Sequence, residues 1–472
     1  MKIGFISLGC PKNLVDSEVM LGLAEQAGHE ITADADSADV LVVNTCAFID
    51  RAKQESIDAI LEMAALKNRT AGRRLIVTGC LAERYREDLR NEIPEIDAVL
   101  GTGEVTGLVE VLSGVGSRES GVATAPLRFY ARSSHSPLPT PHSRHDTPVF
   151  GLDLPTYLYD AETPRRRTTP AHYAYVKVAE GCDYKCAFCI IPKMRGGYRS
   201  RSVESVVAEA RHLAAEGVKE LLLVSQDTTF YGVDRGERSA LPRLLRALNE
   251  VDGLEWIRLL YLYPTTITDE VIGTIAELDR VCKYIDLPLQ HASDPVLKRM
   301  KRPGTRASYE RLLANIRARI PDVTLRTTFI AGFPGETEAD VDVLEGFIRE
   351  MGFEHLGVFT YSHEEGTSAH LLPDDVSAAT KSARQARLMA TQRAMVTRRQ
   401  RARVGTRVQL MVDGPSPEHE WVWRGRLAGQ APEIDPVVFL TDADPELLTP
   451  GRLLDAEVVG AKGYDLVARP LP

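Results

Sequence analysis

Membrane-spanning and secreted classes find no support in this chain of 472 residues. No stretch approaches the roughly 20 consecutive apolar residues that are needed to cross a bilayer. The N-terminal MKIGFISLGC contains a lysine and an apolar run, but the run is too short for a signal peptide and no small-residue cleavage site follows it. We therefore expect a cytoplasmic protein that makes no contact with a membrane.

An excess of basic residues is also missing, since 57 Lys and Arg stand against 66 Asp and Glu, a net charge of -9. General nucleic-acid binders usually carry a basic excess that attracts the phosphate backbone. The charge balance therefore disfavours a nucleic acid as the direct substrate and suits a basic protein partner.

Cysteines are few, and their number, seven, is odd. In a large chain without a signal sequence this disfavours a disulfide framework. Six of the seven belong to the two patterns described next, which indicate metal binding. The seventh, Cys282, precedes an apolar strand and is expected to be a packed thiol in the core.

Three of the cysteines form a tight triplet. Cys182, Cys186 and Cys189 lie in GCDYKCAFC, directly after the strand-like segment YAYVKVAEG. Thiolates at this spacing can hold three corners of a four-iron, four-sulfur cluster and leave the fourth iron free to bind a small molecule. The alternatives are buried free cysteines or a zinc site, although zinc sites usually add a distant second pair or histidines.

Three more cysteines follow three predicted strands. IGFISLGC ends at Cys10, DVLVVNTC at Cys46 and RRLIVTGC at Cys80, with helical sequence between them. This alternation predicts a parallel sheet, whose strands share one carboxyl edge. We therefore expect a second three-thiolate cluster site at that edge. Three unrelated buried cysteines are the alternative, and a Rossmann nucleotide site lacks its glycine-rich turn here.

The residues near both cysteine sets suggest further roles. Lys12 and Asn13 are candidates for contact with whatever the first set holds. Asp16 or Ser17 is predicted to cap the following helix. The run IPKMRGGYRSRS after the triplet is either a solvated loop or a source of positive charge for the site; its basic residues are Lys193, Arg195, Arg199 and Arg201.

Composition divides the chain into four parts. Residues 1–114 form the predicted N-terminal parallel α/β domain, and residues 115–169, rich in Ser, Pro, His and Arg, form a linker. Residues 170–398 repeat strand and helix six times, which predicts an open (βα)6 partial TIM barrel. Residues 400–472 alternate like a small all-β barrel and hold eight Lys and Arg against eleven Asp and Glu.

Taken together, SLGCPKNLVDSE, NTCAFI, VTGC, AEGCDYKCAFCIIPKMRG and the C-terminal β module resemble the radical S-adenosylmethionine (SAM) methylthiotransferases. The resemblance covers nearly the whole chain apart from the linker. It implies an enzyme with SAM and two 4Fe-4S clusters as cofactors. The C-terminal module is then a TRAM domain that serves substrate recognition. The auxiliary cluster is implied on Cys10, Cys46 and Cys80, and the radical SAM cluster on Cys182, Cys186 and Cys189.

The SAM contacts are less well defined by the resemblance. The superfamily's Gly-Gly-Glu-like SAM motif is replaced here by Ser225-Gln226-Asp227-Thr228. Candidates come from the aromatic residue before the last cysteine and from the carboxyl ends of the barrel strands, where ligands of parallel barrels collect. They are Phe188, Gln226, Gln290, Arg326, which suits a ligand carboxylate, and Gly332. No catalytic residue is assigned beyond the cluster ligands.

Within the family, the resemblance is greatest to the branch that β-methylthiolates an aspartate of small ribosomal subunit protein twelve. The tRNA-modifying branch usually has Gln-Met-Asn after the first cysteine, whereas this chain has Pro11-Lys12-Asn13. The implied partners are the ribosomal protein as substrate, a sulfur source, and an electron donor such as flavodoxin or ferredoxin. A tRNA methylthiotransferase remains the enzyme alternative, and an iron–sulfur sensor or assembly scaffold the non-enzymatic one.

Overall fold

The computed structural model describes residues 1–114, 154–417, 419–444, 446 and 448–471. Residues 115–153 of the predicted linker therefore lie outside the described residues. In the described ranges, no helix combines the length and the apolar character that crossing a membrane requires. Three folded units follow one another along the chain, in the order that the sequence predicts.

The N-terminal unit is a five-stranded parallel sheet in the order β2-β1-β3-β4-β5. All six residues of its central strand β3 are buried, as expected where helices cover both faces of a parallel sheet. The strands are β1 Lys2–Ser7, β2 Glu30–Thr32, β3 Val40–Thr45, β4 Arg74–Gly79 and β5 Ala98–Leu100. The helices are α1 Pro11–Gln26, α2 Asp50–Lys67, α3 Cys80–Arg84, α4 Arg86–Glu92 and α5 Gly107–Ser113.

Helix α1 begins earlier than predicted. Its first residue is Pro11 and its N-cap is Cys10, with no side-chain cap. The prediction that Asp16 or Ser17 caps this helix is therefore wrong. Proline suits the first helical position because its fixed φ is already helical and its missing N–H would have no partner there.

The central unit confirms the open (βα)6 barrel. Its parallel strands form two three-stranded groups, β6-β9-β10 and β11-β12-β13. The groups are joined by backbone hydrogen bonds, such as Leu262 N–H to the Asp286 carbonyl at 2.9 Å. Among the described residues no ladder links β6 to β13, so the barrel stays open. The strands are β6 Tyr173–Lys177, β7 Ala179–Glu180, β8 Arg199–Ser200, β9 Glu220–Val224, β10 Trp256–Leu259, β11 Tyr284–Asp286, β12 Thr324–Ala331 and β13 His355–Thr360.

Helices surround these strands and bury their apolar faces against them in one large core. Their spacing follows from the apolar periodicity of segments such as SVESVVAEARHLAA, in which Ser202 caps the first turn by accepting from the Ser205 N–H. The helices are α6 Ile191–Arg195, α7 Val203–Ala215, α8 Ala240–Asn249, α9 Asp269–Glu277, α10 Asp294–Arg299, α11 Arg306–Arg319, α12 Glu338–Met351 and α13 Ala378–Ala402.

The C-terminal unit is a closed five-stranded barrel in the order β14-β15-β16-β18-β17. Its small core alternates with solvent-facing residues along each strand, which is the pattern the sequence shows. The strands are β14 Arg407–Ser416, β15 His419–Leu427, β16 Val438–Leu440, β17 Leu453–Lys462 and β18 Asp465–Pro470.

The flanking units close opposite ends of the central barrel. At the amino end of its strands, Glu220, the first residue of β9, pairs with Arg426 of the C-terminal barrel and Arg258 of β10, each at 2.7 Å. At the carboxyl end, Lys177, the last residue of β6, pairs with Asp16 of α1. The N-terminal unit therefore lies over the strand ends at which parallel barrels bind their ligands.

Residues 154–169, which the sequence analysis assigns to the linker, are packed against the protein. Arg165 is ion-paired to Glu18 of α1 and to Glu209 of α7, and Tyr159 is 2% exposed. Composition misses this order because the segment has few apolar residues beyond the buried Tyr159 and is held mainly by charged groups of two other units. We call residues 154–169 the strap.

Candidate metal centre

The first cysteine set lies at the carboxyl edge of the N-terminal sheet. Cys10 follows β1, Cys46 directly follows β3, and Cys80 directly follows β4. These three strands are neighbours in the sheet. In this strand order β1 and β3 form the topological switch point, which is where open α/β sheets bind ligands.

Backbone geometry makes room for these thiols. Gly9 has a φ of 95°, and a Cβ added there would lie 2.8 Å from Cys46 Cβ and 3.1 Å from its Sγ. Gly79 before Cys80 has a φ of 94°, and an added Cβ would lie 2.6 Å from the Thr45 carbonyl oxygen. Only glycine fits both demands without strain. Glycine is therefore required directly before Cys10 and Cys80 if the three cysteines are to lie at this edge of the sheet.

Helix α2 holds the loop that carries Cys46. The buried Ser56 hydroxyl accepts a hydrogen bond from the Cys46 N–H at 2.9 Å and donates one to the Cys46 carbonyl at 3.0 Å. Both backbone polar groups of this cysteine are therefore satisfied by one side chain, which fixes where its thiol points.

The second cysteine set occupies the loop after β7, at the carboxyl end of the barrel. Gly181 has a φ of 81° and leads into Cys182, whose N–H donates to the Gly196 carbonyl at 3.1 Å. The Ala187 N–H donates to the Met300 carbonyl at 2.8 Å, and the Cys189 N–H to the Cys186 carbonyl at 3.1 Å. The loop is thus pinned at both ends and in the middle.

A cation and two stacked rings surround Cys186. The Arg302 guanidinium donates to Cys186 Sγ at 3.7 Å and lies 3.9 Å from the centre of the Tyr263 ring. The Tyr263 ring stacks on Tyr184 with centroids 3.9 Å apart. The Tyr184 hydroxyl donates to Asp227 at 2.8 Å. This chain of contacts connects the thiol to the polar end of β9.

Burial and nearby thiols raise the pKa of Cys46 and of Cys189, one residue in each set, so both keep their protons when no metal is bound. Burial, followed by the charges of Cys80 and Cys10, raises the pKa of Cys46 to about 12. Burial, followed by Cys186, raises the pKa of Cys189 to about 12. Each set therefore holds its sulfurs close enough to influence one another. Iron binding must displace these protons, because the ligand form of cysteine is the thiolate.

A buried charge network joins the N-terminal unit to the central barrel and contacts the first cysteine set. Arg195, the last residue of α6, donates to Asp16 at 2.7 Å and to Glu180 at 3.1 Å, and its other terminal nitrogen lies 3.5 Å from Cys80 Sγ. Lys177 pairs with the same two carboxylates. Arg195 thus extends from the end of α6, just after the second set in the sequence, to a sulfur of the first. This favours the charge-supplying interpretation of that loop.

Within this network Glu180 is held ionised. Burial alone would raise its pKa, but Lys177 and Arg195 outweigh burial and hold the pKa well below its usual range. The Gln226 amide also donates to Glu180 at 2.9 Å. The network therefore balances two cations with two anions, all four of them buried.

Lys12 lies beside this network without joining it. Its ammonium donates one hydrogen bond, 3.3 Å long, to the Ser225 carbonyl and sits 3.4 Å from the centre of the Tyr261 ring. Burial lowers the pKa of Lys12, and the neighbouring Cys10 opposes the decrease. Ser225 and Tyr261 both follow barrel strands, so Lys12 spans from the cysteine edge to the mouth of the barrel. Asn13 instead donates to the Leu8 and Thr45 carbonyls.

The five predicted SAM contacts lie at different depths of the barrel. Gln226 sits at the network, and its buried carbonyl oxygen has no hydrogen-bond partner among the described residues. Gln290 has a φ of 73°, a strained conformation for a residue other than glycine, of the kind that clusters at functional sites. Phe188 packs on the apolar cluster around Phe333. All three remain predictions.

The other two candidates are tied to neighbouring groups. Arg326 pairs with Asp286 at 2.9 Å and with Asp435 of the C-terminal barrel at 3.4 Å, so its charge is already balanced. Gly332 has a φ of 78°, and its N–H donates to the buried Glu336 at 2.9 Å. Their roles toward SAM are likewise predictions.

The donor set fits iron–sulfur clusters. Each set offers three thiols with a cation against one sulfur, and Gly9 leaves space that a Cβ would fill. Among the described residues no group of three or more His, Cys, Asp or Glu is arranged to hold a single metal ion. In a four-iron cluster each thiolate binds a different iron, so its ligands stand farther apart than those of one ion.

Sequence reasoning missed the residues that arrive from distant positions. Arg302 reaches Cys186 from the turn after α10, and Tyr261 reaches Lys12 from the end of β10. Neither has a local motif. Asp16 could be recognised as a buried acidic residue inside α1 only after the helix was known to begin at Pro11. Cys282 is buried at 4% exposure, as expected.

Comparison with known families gives three matches along the chain. The pattern described as "Uncharacterized protein family UPF0004" matches residues 2–101. The Radical SAM superfamily pattern matches residues 176–348, and the TRAM domain pattern matches residues 404–471.

Relatives match the full length of the chain. A ribosomal protein uS12 methylthiotransferase RimO of Koribacter versatilis is 46% identical, and the match covers 99% of this chain and 96% of that protein. Another protein of this name, from Symbiobacterium thermophilum, is 46% identical, with 99% and 90% covered. Among solved structures, the radical S-adenosylmethionine methyltransferase TsrM of Kitasatospora setae has a TM-score of 0.54 at 16% identity, covering 76% of this chain and 72% of that one. At this level of sequence identity, the similarity to TsrM shows a shared fold only.

Proposed function

The chain belongs to the family of ribosomal protein uS12 methylthiotransferases named RimO, and from this we propose that it attaches a methylthio group to the β-carbon of an aspartate in small ribosomal subunit protein twelve. It is a radical SAM enzyme of the methylthiotransferase class. Its place of action is then the cytoplasm, where ribosomal subunits are assembled.

The cofactors are SAM and iron–sulfur chemistry, as the radical SAM domain requires. We propose further that the protein holds two clusters. Cys182, Cys186 and Cys189 would hold one, and Cys10, Cys46 and Cys80 the other. When bound, the first would supply an electron for the reductive cleavage of SAM, and the second would supply an iron without a protein ligand, at which sulfur can bind.

The protein's own residues prepare the space between these sites. Arg302 and Arg195 each place positive charge against one cysteine sulfur, which would offset the negative charge of a thiolate bound to iron. The network around Asp16 and Glu180 seals the joint between the two units. Burial keeps water from reactive species formed there.

One observation carries the proposal. Two three-cysteine sets, one at the carboxyl edge of a parallel sheet and one at the carboxyl end of a barrel, face a joint of buried ion pairs, at which Arg195 of the barrel contacts a sulfur of the other unit. An electron carrier alone has no use for two incomplete ligand sets at a shared joint. A weak carbon–hydrogen acid such as an aspartate β-carbon, in contrast, needs radical chemistry, because no side-chain base removes its hydrogen at neutral pH.

The ligand assignment is tested by metal content. Anaerobically reconstituted protein is expected to hold about eight irons, four for each cluster. Changing Cys182, Cys186 and Cys189 together to Ala should remove half of the iron and abolish SAM cleavage. Changing Cys10, Cys46 and Cys80 together to Ala should also remove half but leave SAM cleavage intact. SAM cleavage by the first variant would contradict the assignment.

The substrate is tested on ribosomes. Small subunits from a strain that lacks the gene should gain the mass of one methylthio group on protein twelve when incubated with the enzyme, SAM, sulfide and a reducing flavodoxin or ferredoxin system. Bulk tRNA from the same strain is the control and should stay unmodified. Modified tRNA with unmodified protein twelve would identify the enzyme as a tRNA methylthiotransferase instead.

A further inference from the structure

The joint between the two cysteine-bearing units contains a buried lysine that forms no ion pair among the described residues. Lys12 lies on the first turn of α1, two residues after Cys10, and is 7% exposed. Its ammonium has three donors, but the described residues provide a single long hydrogen bond, to the Ser225 carbonyl, together with the face of Tyr261. No carboxylate of the described chain forms an ion pair with it.

Three other cations at the joint have partners that Lys12 lacks, either carboxylates or a cysteine sulfur. Lys177 and Arg195 share Asp16 and Glu180. Arg302 directs its terminal nitrogens to Cys186 Sγ and to the Pro288 carbonyl. Lys12 is therefore a buried cation at this joint with donors to spare and with neither a carboxylate nor a thiol bonded to it among the described residues. Because a buried charge without a partner is unfavourable, an anionic ligand at this position would stabilise the protein.

Position identifies the kind of anion. Lys12 stands between Cys10, at the sheet edge, and the ends of β9 and β10, at the barrel mouth. Under the proposed function, the reacting carbon must reach this same space. In an aspartate the reacting β-carbon is bonded directly to the carboxylate carbon, so whatever binds the carboxylate also places the carbon.

We infer that Lys12 binds the carboxylate of the substrate aspartate and thereby sets the enzyme's selectivity for an acidic side chain. This inference rests on the proposed function and deepens it. The residue acts by charge and donor geometry. It would approach one carboxylate oxygen, with Tyr261 at its back holding the ammonium in place.

The test is a cycle of changes on both partners. Small ribosomal subunits are prepared with protein twelve carrying its target aspartate or an asparagine in that place. Their affinities for reconstituted wild-type, Lys12→Met and Lys12→Arg protein are measured without reductant, so that no turnover occurs. Wild type should bind the aspartate form roughly 30-fold more tightly than the asparagine form, the lower end for losing one partner of a buried charge pair.

Lys12→Met should abolish this preference by weakening the aspartate form alone, and Lys12→Arg should retain most of it. Iron content measured on each variant separates recognition from cluster assembly. Equal weakening of both forms by Lys12→Met, an unchanged preference, or loss of iron from the Cys10 set would overturn the inference. Reductant is then added: failure of wild type to modify the aspartate form would refute the proposed function, whereas the affinities judge Lys12 separately.

Discussion

At the scale of single residues, the joint depends on Arg195. One planar side chain satisfies two carboxylates and contacts Cys80 Sγ. A lysine has the same charge but lacks the planar guanidinium with its several N–H donors. It therefore cannot bind several partners in fixed directions at once. The position of Arg195, six residues after the last cysteine of the triplet, also explains why the sequence suggested its role only as one of two alternatives.

We expect Arg195→Leu to lower the reduction potential of a cluster held by the Cys10 set by roughly 100 mV, because a unit charge a few ångströms away is worth about 2–4 kcal/mol at an effective dielectric constant near 20. A nearby cation favours the more negative, reduced cluster. Potentials are measured by spectroscopic titration in the background in which Cys182, Cys186 and Cys189 are Ala.

Arg195→Lys is the matched control and should keep the potential close to that of the wild type. The same potential in the leucine variant and the wild type would show that Arg195 serves only to hold the two units together.

At the scale of elements, three strands place Cys10, Cys46 and Cys80 at one edge of the sheet, and helix α2 holds the loop of Cys46 by hydrogen bonds. The strands could be predicted, since IGFIS, DVLVVNT and RRLIVTG are apolar runs with turn signals behind them, and the shared edge follows from their parallel order. The hydrogen bonds from α2 to this loop could not be predicted. Ser56 lies in the middle of an ordinary amphipathic helix, ten residues from Cys46, and its two hydrogen bonds depend on how α2 packs back on the sheet.

We expect Ser56→Ala to speed the loss of iron from the Cys10 set to a chelator several-fold, because two buried backbone groups of Cys46 lose their partner at about 1–3 kcal/mol. The Cys182 set should lose its iron at the wild-type rate. Release is followed by absorbance in variants that retain one set only.

Ser113→Ala, on the exposed end of α5, removes a hydroxyl that bonds only to its own helix and should change neither rate. If Ser56→Ala accelerated the loss of iron equally at both sites, this would indicate general destabilisation rather than the loss of a local contact.

At the scale of the whole molecule, the strap fastens the N-terminal unit to the central barrel. Its backbone passes so close to α1 that a Cβ added at Gly22 would lie 2.5 Å from Arg165 N. The composition of this segment predicts a linker, whereas its order comes from Glu18 and Glu209 on two separate helices. Long-range pairings of this kind leave no periodic trace in the sequence, which is why the domains were predictable but their attachment was not.

We expect Gly22→Ala to displace the strap and destabilise the protein by about 1–3 kcal/mol, the usual cost of overpacking. Proteolysis should then cut within residues 154–169 faster than in the wild type. Cleavage sites are mapped by mass spectrometry, and stability is followed by thermal unfolding of the metal-free protein.

Gly273→Ala is the control, because Gly273 also lies in a helix but has open space around its Cα. It should raise stability by about 0.4–1 kcal/mol by reducing the entropy of the unfolded chain. Identical behaviour of the two variants would show that the strap does not bear on α1.

The C-terminal barrel is fixed to the end of the core that is remote from both cysteine sets, through the buried Glu220, Arg258 and Arg426. In this arrangement the barrel and the cysteine sets lie at opposite ends of the strands. A partner that contacts both must therefore span at least one strand length, ~17 Å. The distance between the two ends thus sets a minimum size for such a partner.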